Sequence, residues 1–175
     1  MANPLYGQNK YDAASSKLSY NGDKSVLEIS GGYSGIKNVI ALDQATYAPS
    51  ASETGSILVF DGTACTVTLP QAAVGLEYSF AWSATGATDA IITTQTADGL
   101  AGVLVATTAA LNTTNLTNTT SCIDSWAVTI DTLTFNGSTQ GGVLGTWVNV
   151  VAVSATMWAV SGIKVCSGTM VTSAS

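Results

Sequence analysis

An all-β fold, a β-sandwich or small jelly-roll-like β-barrel behind an extended N-terminal arm, is what this sequence predicts, and three observations carry that expectation. From about residue 41 the chain is a succession of short apolar runs rich in Val, Ile, Thr and aromatics, the residue types that pack well on a pleated surface. Gly, Asn, Asp and Pro interrupt those runs at short intervals, which suits many short strands and little helix. Charge is also split along the chain. Four of the five lysines fall in the first 37 residues beside Asp12, Asp23 and Glu28, whereas the rest holds Lys164 against eight carboxylates. Residues 1–40 therefore read as an extended arm, either a disordered terminus or a docking segment, and residues 41–175 as the β body.

The elements follow in order. The arm is rich in Tyr, Gly, Asn and Ser, with little periodicity before Val26. Its tyrosines offer broad amphipathic contact area at small entropic cost, and its lysines can pair with an acidic partner surface. Tyr6, Lys10, Tyr11 and Lys17 are the contacts this reading selects. In the body, 56–60 (Ser-Ile-Leu-Val-Phe) reads as a strand, Asp61-Gly62 as a turn and 66–69 (Thr-Val-Thr-Leu) as a second strand, together a hairpin. Pro70 ends that ladder, having no N–H to donate. The run 76–82 alternates with period two and places Leu76, Tyr78, Phe80 and Trp82 on one core face.

Further strands are expected at 90–95, 103–107, 125–135, 146–153 and 157–160, with closing pieces at 164–165 and 170–171. A short helix competes only at 106–111, where the dense Thr and Asn that follow would not sustain one. The Asn/Thr tract 112–121 reads as an exposed loop or solvated ribbon, and Asn136-Gly137 and Gly141-Gly142 as turns. Each of the four tryptophans, Trp82, Trp126, Trp147 and Trp158, sits in an apolar strand pattern, so core packing is expected ahead of stacking on sugar.

The side-chain census narrows function. The 175 residues include no His and no Arg, which removes the commonest general acid/base, the commonest nitrogen ligand for metals and the bidentate phosphate clamp. A net charge of −6 gives no overall field to draw a polyanion onto the protein, so nucleic acid is not an expected partner. Cys65, Cys122 and Cys166 are widely spaced with no CxxC pair, and they read as small buried hydrophobes, a Cys122 to Cys166 bridge being left open.

Carboxylate-dyad hydrolysis is the enzyme class the census leaves open, with Asp61, Asp89, Asp98, Asp124 and Asp131 as candidates. Asp61 and Asp98 each precede Gly and are better explained as turn formers. No cofactor or metal is expected, and the protein is not expected to be an enzyme. The N-terminus has no basic cap and apolar run of a secretory signal, and no segment approaches the roughly 18 apolar residues of a membrane helix. Synthesis in a cytoplasm, with no membrane partner, is expected. Only 9% of residues are charged, against roughly 25% in ordinary domains, and a surface so poor in charge tends to associate.

One resemblance extends this reading. The order Glu53-Thr-Gly-Ser-Ile-Leu-Val-Phe60, Thr66-Val-Thr-Leu-Pro70, Gly75-Leu-Glu-Tyr-Ser-Phe80, Ile91-Ile-Thr-Thr94, Trp147-Val-Asn-Val150 and Met157-Trp-Ala-Val-Ser-Gly162 resembles β-rich head decoration and fibre modules of tailed bacteriophages. The opening residues 1–12, MANPLYGQNKYD, are similar to the start of structural proteins of phages of aquatic bacteria. The resemblance implies a virion protein, a capsid decoration or cement protein on the outer shell, usually a homotrimer, seated at junctions between major capsid protein subunits. The Asn/Thr tract lengthens the middle of the module, and the same β pattern occurs in tail fibres. A fibre or receptor-recognition module that binds host carbohydrate is the alternative the resemblance leaves.

Overall fold

The computed structural model of the protein describes residues 20–21, 26–27, 37–86, 89–108, 122–167, 171 and 173, and for 20–21, 26–27, 108 and 122–129 the backbone only. The chain divides into two units, 1–36 and 37–175. In the first, β1 (Tyr20–Asn21) pairs antiparallel with β2 (Val26–Leu27). The arm residues Tyr6, Lys10, Tyr11 and Lys17 lie outside the described residues.

The second unit is all-β. It begins with β3 (Val39–Leu42), β4 (Thr46–Tyr47), one 3-10 turn (Ala51–Glu53), β5 (Ile57–Phe60), β6 (Cys65–Thr68), β7 (Glu77–Trp82) and β8 (Ala90–Thr93). It continues with β9 (Gly99–Thr108), β10 (Cys122–Ile130), β11 (Thr132–Phe135), β12 (Trp147–Ala152) and β13 (Met157–Cys166). A seven-stranded sheet runs β10-β9-β13-β12-β7-β5-β3, and a four-stranded sheet runs β11-β8-β6-β4. Both sheets are open, each with two edge strands.

The expected hairpin at 56–69 does not form. Strand β5 lies between β3 and β7 in the large sheet, parallel to both, while β6 lies between β4 and β8 in the small one, again parallel to both. The chain from β3 to β8 thus winds through three coils, giving one strand to each sheet per coil. Asp61-Gly62 is a turn as expected, with Gly62 at φ +100° and Asp61 Oδ1 accepting the Thr63 N–H at 2.9 Å. It carries the chain across from one sheet to the other. The driving force is burial: Leu58 and Phe60 on β5 and Cys65 and Val67 on β6 all face one common core.

A second departure concerns 125–135, expected as one strand. The backbone bends at Asp131, so that β10 pairs with β9 in the large sheet and β11 pairs with β8 in the small one, both antiparallel. The Asp131 carbonyl accepts from the Thr94 N–H at 3.0 Å and the Thr93 hydroxyl at 3.2 Å, fixing the corner of a two-stranded ribbon shared by both sheets. The segments 157–160 and 164–165, expected as separate pieces, are one strand, β13, parallel to β9 over its whole length. Residue 171 is not in a strand, and the closing piece at 170 lies outside the described residues, as do 109–121.

The core is aromatic and common to both sheets. Tyr78, Phe80 and Trp82 point inward from β7 as expected, with Leu76 half-buried beside them. Phe60 stacks on Phe80 and on Trp82, and Trp82 meets Phe135 of the small sheet at a centroid distance of 4.8 Å. Trp158 is fully buried against Tyr78. Close approach of backbones also needs glycine. At Gly102, in the parallel ladder between β9 and β13, a Cβ would strike the Val160 backbone.

Candidate functional site

Three of the described carboxylates, those of Asp61, Glu53 and Asp98, accept backbone N–H groups in turns and loops. Asp98 is buried and its Oδ2 accepts the Ala72 N–H at 2.6 Å. Glu53 accepts from the Tyr47 hydroxyl at 2.7 Å and from the Ser50 N–H at 2.7 Å, while the Tyr78 hydroxyl donates to the Ser50 carbonyl. The Ser50 N–H foremost, then the Tyr47 hydroxyl, hold the Glu53 carboxyl below its ordinary pKa. Burial foremost, then Glu53, pushes the Tyr47 phenol up to about 12. Asp89 stands just before β8, and the Asp124 side chain lies outside the described residues.

The two cysteines whose side chains are described behave as packing residues. Cys65 is buried, and burial with the nearby Asp61 and Asp43 charges raises its thiol pKa, which keeps it protonated and poorly nucleophilic. Cys166 is buried with its Sγ 3.4 Å from the Thr139 carbonyl, and the side chain of Cys122 lies outside the described residues. Among the described residues, no three His, Cys, Asp or Glu side chains gather as a metal site requires, and no helix is long and apolar enough to cross a membrane.

The tryptophan expectation needs one correction. Trp82 and Trp158 are core residues, but Trp147 is 41% exposed, because it opens β12 on the phase that faces away from the core. The side chain of Trp126 lies outside the described residues. Trp147 stands opposite Ile163 of β13, and Ile163 opposite Val105 of β9. All three are exposed, so a continuous apolar row crosses three neighbouring strands on the outer face of the seven-stranded sheet. Strict alternation is what produces it: the inward partners Val148, Lys164, Leu104 and Ala106 are buried, leaving the odd-numbered positions outside. The run 146–153 is apolar on both phases, which is why the sequence pattern alone put Trp147 in the core.

Among the described side chains of this sheet, Glu77 at the start of β7 is the one charged residue at an outward position. Among the described side chains the outer face is broad and nearly uncharged. Comparison of the chain with protein-family models, with curated proteins and with solved structures finds no match.

Proposed function

We propose that the protein is a virion structural protein of a tailed bacteriophage, a capsid decoration or cement protein. In this reading it binds the outer head surface at junctions between major capsid protein subunits as a homotrimer. The body is a two-layer sandwich that projects outward, and Tyr6, Lys10, Tyr11 and Lys17 of the arm anchor it on the shell. No catalysis, cofactor, nucleic acid or membrane enters the role.

The observation that carries the reading is the division of labour on the body. The carboxylates of Asp61, Glu53 and Asp98 tie turns and loops, and the described outer face of the large sheet is left to uncharged side chains suited to protein contact. A cement protein acts by mass action: a ligand that binds the assembled shell and not its parts stabilises the assembly, each bridge adding an interface of about 800 Å² per partner. The test is immunogold microscopy of virions, joined to cosedimentation of the protein with shells. Dense head labelling, and loss of cosedimentation on replacing Tyr6, Lys10, Tyr11 and Lys17 together by Ala, is the expected result. Unlabelled virions would overturn the reading, and full binding by the fourfold variant would overturn the anchoring.

The exposed Trp147 beside the half-buried Asn149 favours one second reading, a tail-fibre module that stacks host carbohydrate on the sheet face. Labelling confined to the tail tip, with glycan-array binding lost in Trp147→Ala, would establish it instead.

A further inference from the structure

The outer face of the seven-stranded sheet combines area with an apolar row. Trp147, Ile163 and Val105 form that row over three adjacent strands. Ala81 continues the row onto β7. Beside it on the same face run Asn149, Ser161 and the exposed Val103, and beyond them Val151, Ala159 and Ala101, so the apolar row stands on a face of uncharged residues.

We infer that this face is the self-association surface of the protein, the apolar row of one copy packing against the same face of a second copy. Charge selects that occupant. The unit 37–175 carries Lys37 and Lys164 against eight carboxylates, and Lys164 is fully buried, so the exterior of the body is anionic and two copies repel one another wherever carboxylates face outward. The outer face, with Glu77 at its margin, is where two such bodies approach without that cost. A cationic partner would find its attraction elsewhere.

Size agrees. Seven strands at about 4.8 Å spacing span about 29 Å, and β12, β13 and β9 rise about 20 Å or more, a flat footprint of roughly 600 Å². That is of the same order as the roughly 800 Å² per partner of a stable complex. Apolar contact between copies is satisfied by a twofold pair and equally by a closed ring of three. The inference rests on the protein being a homo-oligomer and is independent of where the oligomer docks.

The experiment is sedimentation equilibrium of the full chain over a concentration series, with Ile163→Lys, Val105→Lys and, as a control off the face, Val74→Lys, which sits on an exposed turn. Each variant is first checked for a wild-type far-UV circular dichroism spectrum. The expected result is a wild-type dimer or trimer, a dissociation constant raised about a hundredfold or more by each face variant through burial of an unpaired charge, and no change with Val74→Lys. Blue-shifted Trp147 emission on association, lost in Trp147→Phe, reads the same event without a charge substitution. A wild-type monomer at every concentration would overturn the inference and the homotrimer together. An oligomer indifferent to both face variants would overturn the surface while leaving self-association standing.

Discussion

The ring of Trp82 on the large sheet packs on that of Phe135 on the small sheet, centroids 4.8 Å apart and planes tilted by 53°. Both side chains are buried, and Phe60 stacks on the other side of Trp82 at 4.7 Å. The pair joins two sheets that share backbone continuity but no ladder hydrogen bonds here. Phe135→Ala is expected to cost about 3–5 kcal/mol, the transfer term plus the cavity left behind. A lower urea midpoint at unchanged slope, with a weakened near-ultraviolet tryptophan band, is the measurement. A cost under about 1 kcal/mol would mean that the sheets do not depend on this contact.

Two phenols, Tyr47 and Tyr78, link stability to alkaline pH. The Tyr47 phenol is raised from 10.0 to about 12 in the folded protein, so the fold favours the neutral phenol. Its stabilisation is complete below pH about 10 and is lost as pH rises toward 12. Tyr78, raised by burial and then by Glu53, loses stability in the same direction. Glu53, lowered from 4.5, has the opposite sign: its contribution is present above that value and lost as the pH falls through its folded pKa. Tyr47→Phe should therefore flatten the decline of stability above pH 10 without abolishing it. Urea midpoints at pH 8, 10 and 11 check this, and an unchanged alkaline decline would remove Tyr47 from the account.

Strand positions were readable because the body follows period-two burial closely: β5, β6, β7, β8 and β12 fall within a residue or two of their expected limits. Pairing was not, since a turn signal does not say where its two arms go. Asp61-Gly62 forms the expected turn, yet the four residues between Phe60 and Cys65 arch from sheet to sheet. One neglected signal was the recurrence of strand-like runs at 39–42, 57–60 and, with Ser79 as a polar member, 79–82, whose similar spacing reflects the parallel coils. Another was the change of phase within 125–135, where apolar residues are even-numbered through Ile130 and odd-numbered from Leu133. That inversion is the sequence mark of the corner at Asp131. The outer-face row could not be found from the pattern, because Ile163 and Val105 come together only through parallel pairing of segments nearly 60 residues apart.

The turn at Asn136-Gly137 is tied down from both sides. Asn136 Oδ1 accepts the N–H groups of Ser138 and Gln140, and the Gly137 N–H donates to the Gly141 carbonyl at 2.8 Å. Gly137 has φ +69°, and a Cβ there would strike the Gly86 backbone. Gly137→Ala therefore meets both a left-handed backbone and a collision with main chain, which cannot rotate away. A cost of about 1–3 kcal/mol is expected, read by thermal unfolding. Gly55, also at positive φ but with open space where its Cβ would stand, is the control, and Gly55→Ala should cost about 1 kcal/mol or less.

Lys164 is fully buried on the inward side of β13, and its ammonium donates to the Val171 carbonyl at 2.6 Å and to the Ser173 hydroxyl at 3.2 Å. Those two residues are held further by the Val171 N–H on the Thr139 carbonyl and by the Thr134 N–H on the Ser173 carbonyl. The ammonium therefore joins β13 to a short closing segment that itself bonds to β11. Lys164→Met keeps most of the buried stem and removes the charge-assisted bonds, worth about 1.5–3 kcal/mol. Removing a charge from the interior offsets part of that loss, so global stability should fall by less. The local effect should be the larger one: the Thr134 amide, whose acceptor is Ser173, should exchange with solvent at least about tenfold faster, while the Ile92 region of the same sheet keeps its protection. Equal exchange at Thr134 in the wild type and Lys164→Met would mean that the closing segment is held without Lys164.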